Sequence, residues 1–289
     1  MAVYNINGEQ PESVFDVAGY ELQQAYDVKG NELLTPVANP PLIVMSYNVG
    51  DFTGINAQQT MQNIIATIYH THIIGIQEFY KTDVVPTIAS NMLSNYPYLY
   101  RTNHKNFNAV ASKIALSDVT VADYVNQDAE DMTQFGETRS YIKGYLQKNG
   151  KTICVINTHL CYLTTSVKYA QMAEVFALAQ QEEYCIILGD FNFFAMSVEE
   201  EDYIQMYKPF VDAGYNLANC TADRGFNKTY SHQNTASTQA DLQNAPDNII
   251  VSGNIEIDSV VYDMTKLSYL NGEKIDHIPM IATLLLNEE

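Results

Sequence analysis

The chain has 289 residues, 46% of them hydrophobic, and a formal net charge of −19 at pH 7. This length and hydrophobic content are enough for one globular unit with a substantial core. The 15 Lys and Arg residues leave few cations for a long phosphate backbone, which argues against tight, non-specific binding of duplex nucleic acid. A site that handles phosphate through a bound divalent cation stays compatible with this charge.

The cysteines and the apolar segments indicate a cellular compartment. The four cysteines have no C-x-x-C spacing, and Cys154 and Cys185 lie inside apolar runs, so we expect buried free thiols in a reducing compartment. No segment approaches the ~20 apolar residues of a membrane helix, and the N-terminus lacks the basic and apolar regions of a secretion signal. We therefore expect a cytoplasmic protein without a membrane span, with non-classical export left open.

Residues 1–34 contain a short repeat. Tyr4, Phe15 and Tyr26 recur at intervals of 11 residues, and each unit ends in a Gly suited to a tight turn. This pattern predicts small β-hairpin-like units, which pack on the main domain or bind a protein partner or a neighbouring subunit. Residues 35–41, with three prolines, indicate a linker. We thus predict an appendage and linker at residues 1–41 and a main domain at residues 42–289.

The first half of the main domain combines strands and helices. Apolar runs predict strands at residues 42–47 and 73–76, and amphipathic spacing predicts helices at residues 57–69 and 84–93. A strand, a helix and a second strand imply a crossover and parallel or mixed pairing. Further strands are predicted at residues 108–114, 119–125, 140–147 and 152–157, with a hairpin turn at 148–151.

The second half of the main domain is also predicted to contain both helices and strands. A helix at residues 166–179 leads to an apolar run at 185–188, which is too short for a helix and indicates a strand buried on both faces. Ser197 and Glu200 form a capping-box pattern for a helix at 198–207, which makes the acidic run at 199–202 a solvated first turn rather than a metal site. Residues 220–246 are polar and irregular, as in binding loops or mobile segments, and strands follow at 248–252, 255–262 and 280–286, with a turn at 271–272.

Polar side chains follow or open most of the apolar strands. Taken singly, each has a structural explanation as a turn, cap or strand-end residue. As an ordered set they predict one site at the edge of a sheet sandwich. Carboxylates, amides and imidazoles without a Cys suit a hard cation such as Mg²⁺ or Mn²⁺. The set comprises Asn48, Glu78, His159, Asp190, Asn192, Asp247, Asp276 and His277.

Six segments along residues 42–286 carry a resemblance to a known family. They read YNVG, IQE, NTHL, GDFN, PDNIIVS and DHIP, in that order. The series resembles the endonuclease/exonuclease/phosphatase superfamily with its DNase-like fold. The resemblance implies an α+β fold: a four-layer α/β/β/α sandwich of two packed mixed β-sheets flanked by helices. Asn108 and Asn248 depart from the family pattern at positions where members differ by substrate, so they weaken the substrate assignment.

The resemblance also implies roles for the residues that bind the metal and the attacking water. Glu78, the acidic residue of IQE, binds the catalytic metal, with Asn48 beside it and Asp276 nearby. Asp190 and Asn192 of GDFN hold and activate the attacking water.

The remaining residues of the resemblance act on the phosphate. His277, oriented by Asp247, is the acid/base partner, and His159 stabilises the charge that grows on the phosphate oxygens. Arg139 resembles an arginine that some members aim at the phosphate, with a surface strand residue as the equal alternative. The general base is either Asp190 or the Asp247–His277 pair.

These inferences lead to one principal hypothesis and two alternatives. We expect a metal-dependent phosphoesterase of the nuclease type that hydrolyses a phosphodiester by in-line attack of an activated water, with short or single-stranded nucleic acid as the favoured substrate. The first alternative is an enzyme acting on phospholipid or inositol-phosphate esters. The second is a non-catalytic binding or assembly protein that docks through the N-terminal repeat.

Overall fold

The computed structural model describes residues 40–50, 71–79, 95–102, 108–130, 138–230, 242–263, 268–270 and 273–286. The chain divides into two compact units, Met1–Pro40 and Pro41–Glu289, and the following concerns the second. The N-terminal repeat, the helices at 57–69 and 84–93 and the turn at 271–272 lie outside the described residues, so these remain predictions, as does the boundary at residue 41. No helix within the described ranges is long and apolar enough to cross a membrane.

Two six-stranded sheets form the frame of the main domain. In spatial order, the first sheet contains β11 (Ile255–Tyr262), β14 (Met280–Leu286), β1 (Leu42–Asn48), β2 (Ile73–Gln77), β4 (Ala109–Ser112) and β3 (Tyr98–Arg101). The second contains β5 (Ser117–Asp123), β6 (Ser140–Lys148), β7 (Lys151–His159), β8 (Cys185–Asp190), β10 (Asp247–Val251) and β9 (Asn216–Leu217). A separate hairpin pairs β12 (Ser268–Leu270) with β13 (Glu273–Ile275).

Each sheet has one parallel pair of strands at its centre and antiparallel pairs around it. The parallel pairs are β1 with β2 and β7 with β8. The neighbours β14 and β10 run antiparallel to β1 and β8. Both sheets are therefore mixed, and the carboxyl ends of the parallel strands lie beside the amino ends of their antiparallel neighbours.

Hydrophobic cores on both sides of the second sheet explain why its central strand β8 is apolar on both faces. In β8, Ile186 and Leu188 belong to the core between the sheets, whereas Cys185 and Ile187 belong to a second core. The second core packs beneath helix α1 (Thr165–Ala179) and the short helices α2 (Glu201–Met206) and α3 (Lys208–Asp212). Successive side chains of a strand point to opposite faces, so a strand between two cores has no polar face.

The structure confirms the predicted strands and shifts several boundaries. Strand β7 continues to His159 and β8 to Asp190, so their polar terminal residues stay within the hydrogen-bond ladder. The hairpin turn is confirmed, with positive φ at Asn149 and Gly150 as a two-residue turn requires. Strands β3, β9, β12 and β13 were not predicted, because they are only two to four residues long and lack a pattern of their own.

The predicted helix at 198–207 is wrong at its start. The carboxylate of Glu200 accepts hydrogen bonds from the backbone N–H groups of Met196 (2.9 Å) and Ser197 (3.1 Å), which closes a turn before the helix. Helix α2 consequently begins at Glu201. Asp202 is not solvated as predicted for the acidic run at 199–202, because its carboxylate accepts a hydrogen bond from the Tyr169 hydroxyl at 2.6 Å.

A buried amide joins the two sheets. The side chain of Asn157 on β7 donates to the carbonyls of Ile76 (3.0 Å) and Ala109 (2.9 Å) in the other sheet. Its Oδ1 accepts from Nε2 of Gln77 at 2.7 Å. The sheets approach so closely here that a Cβ on Gly75 would lie 2.5 Å from Asn157 Oδ1. Glycine at this position therefore allows the contact.

Asn157→Leu is expected to lower the free energy of unfolding by about 2–4 kcal/mol, because it leaves two buried carbonyls and one amide without their partner. Urea denaturation measures this loss. The exposed Asn254 provides a matched control, since Asn254→Leu should change stability by less than about 0.5 kcal/mol. Equal losses in the two variants would contradict a structural role for the Asn157 clamp.

His72, directly before β2, accepts a backbone hydrogen bond through its imidazole. The N–H of Ile43 donates to His72 Nδ1 at 3.0 Å, so the ring must be unprotonated there. Burial, with the positive charges of Lys148 and Lys113, lowers the pKa of His72 from 6.5 to about 4. A histidine with a depressed pKa contributes stability above pH 6.5, and this contribution is lost as the pH falls toward 4.

Going from pH 7.5 to 5 should therefore cost the natural protein about 1–2 kcal/mol more than the His72→Gln variant, whose side chain does not titrate. Denaturation curves of both proteins at the two pH values measure the difference. If the two proteins lose the same stability, His72 is not the titrating group.

Candidate functional site

The predicted polar residues meet at one edge of the sandwich. Asn48 ends β1, His159 ends β7 and Asp190 ends β8, with Glu78 directly after β2. Asp247 lies opposite Asp190 in the register, because β10 runs antiparallel to β8. His277 precedes β14, the antiparallel neighbour of β1. Strand direction thus brings residues that are far apart in the sequence to the same edge.

Asn48 bridges two carboxylates, one from each sheet. Its Nδ2 donates to Glu78 Oε1 at 3.0 Å and to Asp190 Oδ2 at 2.9 Å. Its Oδ1 accepts from the N–H of Gly50 at 2.9 Å, which fixes the orientation of the amide. The bridge sets the position of Glu78 relative to Asp190.

Glu78 has a strained backbone and a perturbed carboxyl group. Its φ is +58°, which is uncommon for a residue other than Gly. Burial raises the pKa of Glu78 to about 7, opposed by the Asn48 hydrogen bond and increased further by the charge of Asp276. Because ionisation of this buried carboxyl group is unfavourable, a bound cation would stabilise its charged form. This environment makes Glu78 a candidate metal ligand.

Asp190 is at the centre of the site. Its Oδ1 accepts the N–H of Asn192 at 2.8 Å, and its Oδ2 lies 3.6 Å from His159 Nε2 and 3.7 Å from His277 Nε2. Burial by itself would raise the pKa of Asp190, but the two histidines and the hydrogen bond from Asn48 lower it below its usual value. Asp190 is therefore ionised at neutral pH.

His277 and Asp247 form a buried pair. His277 Nδ1 lies 2.9 Å from Asp247 Oδ2, which also accepts the hydroxyl of Thr229 at 2.6 Å. Burial would lower the pKa of His277, but the charges of Asp247, Asp190 and Asp276 raise it to about 10. At neutral pH the imidazolium donates through Nδ1 to Asp247 and presents its Nε2 proton toward Asp190.

His159 is in the opposite protonation state. Burial, together with the positive charges of Arg139 and His277, lowers the pKa of His159 to about 3. Its Nε2 lies 3.1 Å from Asn192 Nδ2, which also donates to the Leu160 carbonyl at 2.9 Å. The neutral ring therefore orients Asn192, while its role toward the phosphate charge stays a prediction.

Arg139 and Asp276 complete the predicted set. Arg139 is only 4% exposed, so the alternative of a surface strand residue is wrong. Its charge acts on His159, which places the guanidinium near the site. Asp276 is half-buried, and its charge raises the pKa of Glu78 and of His277. Both residues are thus electrostatically coupled to the site, and their roles in binding phosphate and metal stay predictions.

The donor set fits a hard cation. Ligand atoms of Asp190, Asp247 and His277 lie within 4.8 Å of one another, although His277 could bind a metal only after losing a proton. Within the described residues, Asp247 Oδ1 is buried and has no hydrogen-bond partner. With Glu78 and Asp276 the site contains four carboxyl groups against the charge of His277 and the nearby Arg139. Oxygen ligands and excess negative charge suit a divalent cation such as Mg²⁺ or Mn²⁺.

Sequence reasoning missed three residues that support the site. Thr229 and Tyr230 come from the irregular segment at 220–246, where no local pattern distinguishes them; the Tyr230 ring lies 4.7 Å from that of His277. Lys168 is buried and donates to the Asn192 carbonyl at 2.9 Å and to Asp202 at 3.3 Å. Its signal was present in the sequence, because Lys168 occupies the apolar face of α1. His232, in the same irregular segment, lies outside the described residues.

Several solved structures share this architecture. An endonuclease/exonuclease/phosphatase from Beutenbergia cavernae DSM 12333 has a TM-score of 0.64 and 15% identity, with 86% of this chain and 72% of the other covered. D. rerio TDP2 complexed with a single-strand DNA product has a TM-score of 0.64 and 14% identity, covering 84% and 98%. A mannosyl-6-phosphatase from Bacteroides thetaiotaomicron VPI-5482 has a TM-score of 0.62 and 16% identity, covering 84% and 99%. At these identities the similarity concerns the fold alone.

Among curated protein sequences, none matches this chain. Residues 45–261 match the Endonuclease/Exonuclease/phosphatase family. The matched span includes Asn48, Glu78, His159, Asp190 and Asp247, which the structure brings to one edge of two packed mixed sheets. From this match and this architecture we conclude that the chain belongs to the endonuclease/exonuclease/phosphatase family and has the DNase-like fold.

Proposed function

We propose that this protein is a divalent-metal-dependent phosphoesterase that hydrolyses a phosphodiester by in-line attack of an activated water. The observation that carries this proposal is the pairing of an ionised Asp190 with a protonated His277 in one buried cluster of carboxyl groups. Hydrolysis of a phosphodiester needs a base for the water, an acid for the leaving oxygen and positive charge at the phosphoryl oxygens. The cluster offers a candidate for each.

The metal would be Mg²⁺ or Mn²⁺, bound by Glu78 with Asn48 beside it and Asp276 nearby. When bound, it would polarise the phosphoryl oxygens and neutralise their charge. Asn48 donates one hydrogen bond to Glu78 and one to Asp190. These two bonds fix the position of the proposed metal ligand relative to the residue that would hold the water. The buried Oδ1 of Asp247 has no hydrogen-bond partner among the described residues, so it adds negative charge to the cluster that a nearby cation would offset.

Asp190 would hold the attacking water and accept its proton. Its two oxygens are positioned by hydrogen bonds from Asn48 and from the N–H of Asn192. His277 would protonate the leaving oxygen, because its raised pKa keeps the ring protonated at neutral pH. Of the two candidates for the general base, this protonation state favours Asp190 over the Asp247–His277 pair.

The favoured substrate is a short or single-stranded nucleic acid. The net charge of −19 opposes long duplexes, whereas a single metal-neutralised phosphate tolerates it. A buried Arg139 near the site would provide one further positive charge at the phosphate. A docking role for the N-terminal repeat stays a separate prediction.

Removal of the metal provides the direct test. With Mg²⁺ or Mn²⁺ the protein should hydrolyse bis-p-nitrophenyl phosphate and single-stranded oligonucleotides, and EDTA should reduce the rate to background because the charge of the phosphoryl oxygens is then not neutralised. The release of p-nitrophenol and the shortening of oligonucleotides measure these rates. Duplex DNA, RNA, sphingomyelin and inositol phosphates complete the panel.

Adding an excess of Mg²⁺ after EDTA should restore the rate. Hydrolysis that continues unchanged in EDTA would contradict a metal-dependent site. Preferential hydrolysis of sphingomyelin or inositol phosphates would instead favour the phospholipid or inositol-phosphate alternative.

A further inference from the structure

Three aromatic residues stand at the rim of the site. Tyr162 is 55% exposed and contacts Phe194 edge to face, with the ring centroids 6.4 Å apart and the ring planes at 71°. The Tyr230 ring lies 4.7 Å from that of His277. An exposed tyrosine is ordinary by itself, but one beside a cluster of ionisable groups indicates a binding surface.

The chain connects each aromatic residue directly to the proposed chemistry. Tyr162 is three residues after His159, and Phe194 is two residues after Asn192. Burial raises the pKa of Tyr230, the charge of Asp276 raises it further, and a smaller contribution from Tyr162 is consistent with the two tyrosines lying near each other. The aromatic rim therefore borders the position where the scissile phosphate would bind.

An ion pair between Lys168 and Asp202 holds Phe194 in place. The ammonium of Lys168 lies 5.0 Å from the centroid of the Phe194 ring and 3.3 Å from Asp202 Oδ2. The N–H of Phe194 donates to the same carboxylate at 3.3 Å. Phe194 is thus fixed through both its ring and its backbone, and it holds the neighbouring Tyr162. A ring fixed in advance loses little conformational entropy when a flat ligand stacks on it.

The low number of cations favours such a surface. With 15 Lys and Arg residues against 34 Asp and Glu, the protein has few cations with which to bind the successive phosphates of a nucleic-acid strand. Stacking on aromatic rings is the other main source of affinity for single strands, and it typically contributes about 10-fold to 100-fold per base. Bases within a duplex are already stacked and paired, so only an unpaired base is available to such a surface.

We propose that Tyr162, held by Phe194 and bordered by Tyr230, is a stacking site for an unpaired nucleobase next to the scissile phosphate. This inference deepens the proposed function, on which it rests, by specifying a single-stranded or nucleotide-like substrate. Tyr162 acts in binding and takes no part in the proton transfers. Selectivity for unpaired strands would then come from stacking, and the phosphate would be recognised by the metal and the buried polar groups.

The test compares two fluorescein-labelled tetranucleotides, one with four bases and one with abasic residues throughout. Fluorescence anisotropy in Ca²⁺, which suits catalysis less well than Mg²⁺, gives the ratio of their dissociation constants. We expect the natural protein to bind the base-containing strand about 10-fold to 100-fold more tightly. Tyr162→Ala should reduce this ratio to near one, and Tyr162→Phe should retain most of it. The exposed Tyr98 on the edge strand β3 provides the control, since Tyr98→Ala should leave the ratio unchanged.

A ratio near one in the natural protein, or an unchanged ratio in Tyr162→Ala, would overturn the stacking site. Displacement of the strand by phosphocholine that is lost in Tyr162→Ala would also overturn it, because the rings would then bind a quaternary ammonium group. Hydrolysis of both strands in Mg²⁺ is measured separately. If neither strand is hydrolysed, the proposed function fails while the binding ratio still decides the stacking site.

Discussion

Asp190→Asn is expected to reduce kcat for bis-p-nitrophenyl phosphate by about 10²–10⁴-fold, because the amide cannot accept the proton of the attacking water. The substitution preserves the size of the side chain in a position with 1% exposure, so the loss should not come from a cavity. Steady-state kinetics in saturating Mg²⁺ measure the effect, and circular dichroism checks that the variant is folded.

Asp212 offers a matched control for this substitution. It lies on the surface in α3, where it pairs with Lys208. Asp212→Asn should retain the natural kcat within about 2-fold, since an exposed pair contributes little to the fold and lies outside the site. Full activity in Asp190→Asn would refute the proposed site, because no other described carboxylate occupies its central position between the two histidines.

His277→Gln is expected to lower kcat by about 10²–10⁴-fold, since the leaving oxygen then loses its proton donor. The natural protein should also show an alkaline limb. His277 has a raised pKa of about 10, so it is protonated below that pH and its acid function is lost as the pH rises through it. A profile of kcat from pH 7 to about 11.5 measures the limb, which the Gln variant should lack.

Asp247→Asn separates the acid function from a purely structural role of His277. Asp247 is the largest contributor to the raised pKa of His277, after burial, which acts in the opposite direction. Without this charge the alkaline limb should move toward the ordinary histidine value, by about 1–3 pH units. His72→Gln, which changes a histidine directly before β2 at the end opposite Glu78, should leave the limb in place. An unmoved limb in Asp247→Asn would assign the titration to another group.

Much of the frame could be predicted from local patterns. Strands β1, β2 and β8 are largely apolar, because nearly all of their residues are buried, on both faces of the strand. Asn149 and Gly150 marked the hairpin between β6 and β7, since both adopt the positive φ that such a turn requires. The boundary of α2 was missed, because Glu200 caps a preceding turn rather than the helix.

Most of the residues that meet in the candidate site could be predicted from the sequence, whereas their protonation states could not. Asp190 and His277 could be proposed because each stands at the end or the beginning of an apolar strand. Thr229 and Lys168 could not be placed in the site in the same way, since their contacts with Asp247 and Asn192 depend on segments 18 and 24 residues away. No local pattern specifies such contacts, because they form only when loops and helices pack on the finished sheets.

The amino-acid sequence alone determined which strands are buried on both faces and which polar residues terminate them, because apolar runs and turn residues act over a few neighbouring positions. Only the tertiary structure decided the protonation states of the two histidines in the site. The pKa of His159 is lowered to about 3, whereas that of His277 is raised to about 10. Both are buried, but His159 lies near the positive charge of Arg139, whereas His277 contacts Asp247. Those neighbours are set by the order and direction of distant strands, and the charge of an imidazole depends on its neighbours in space.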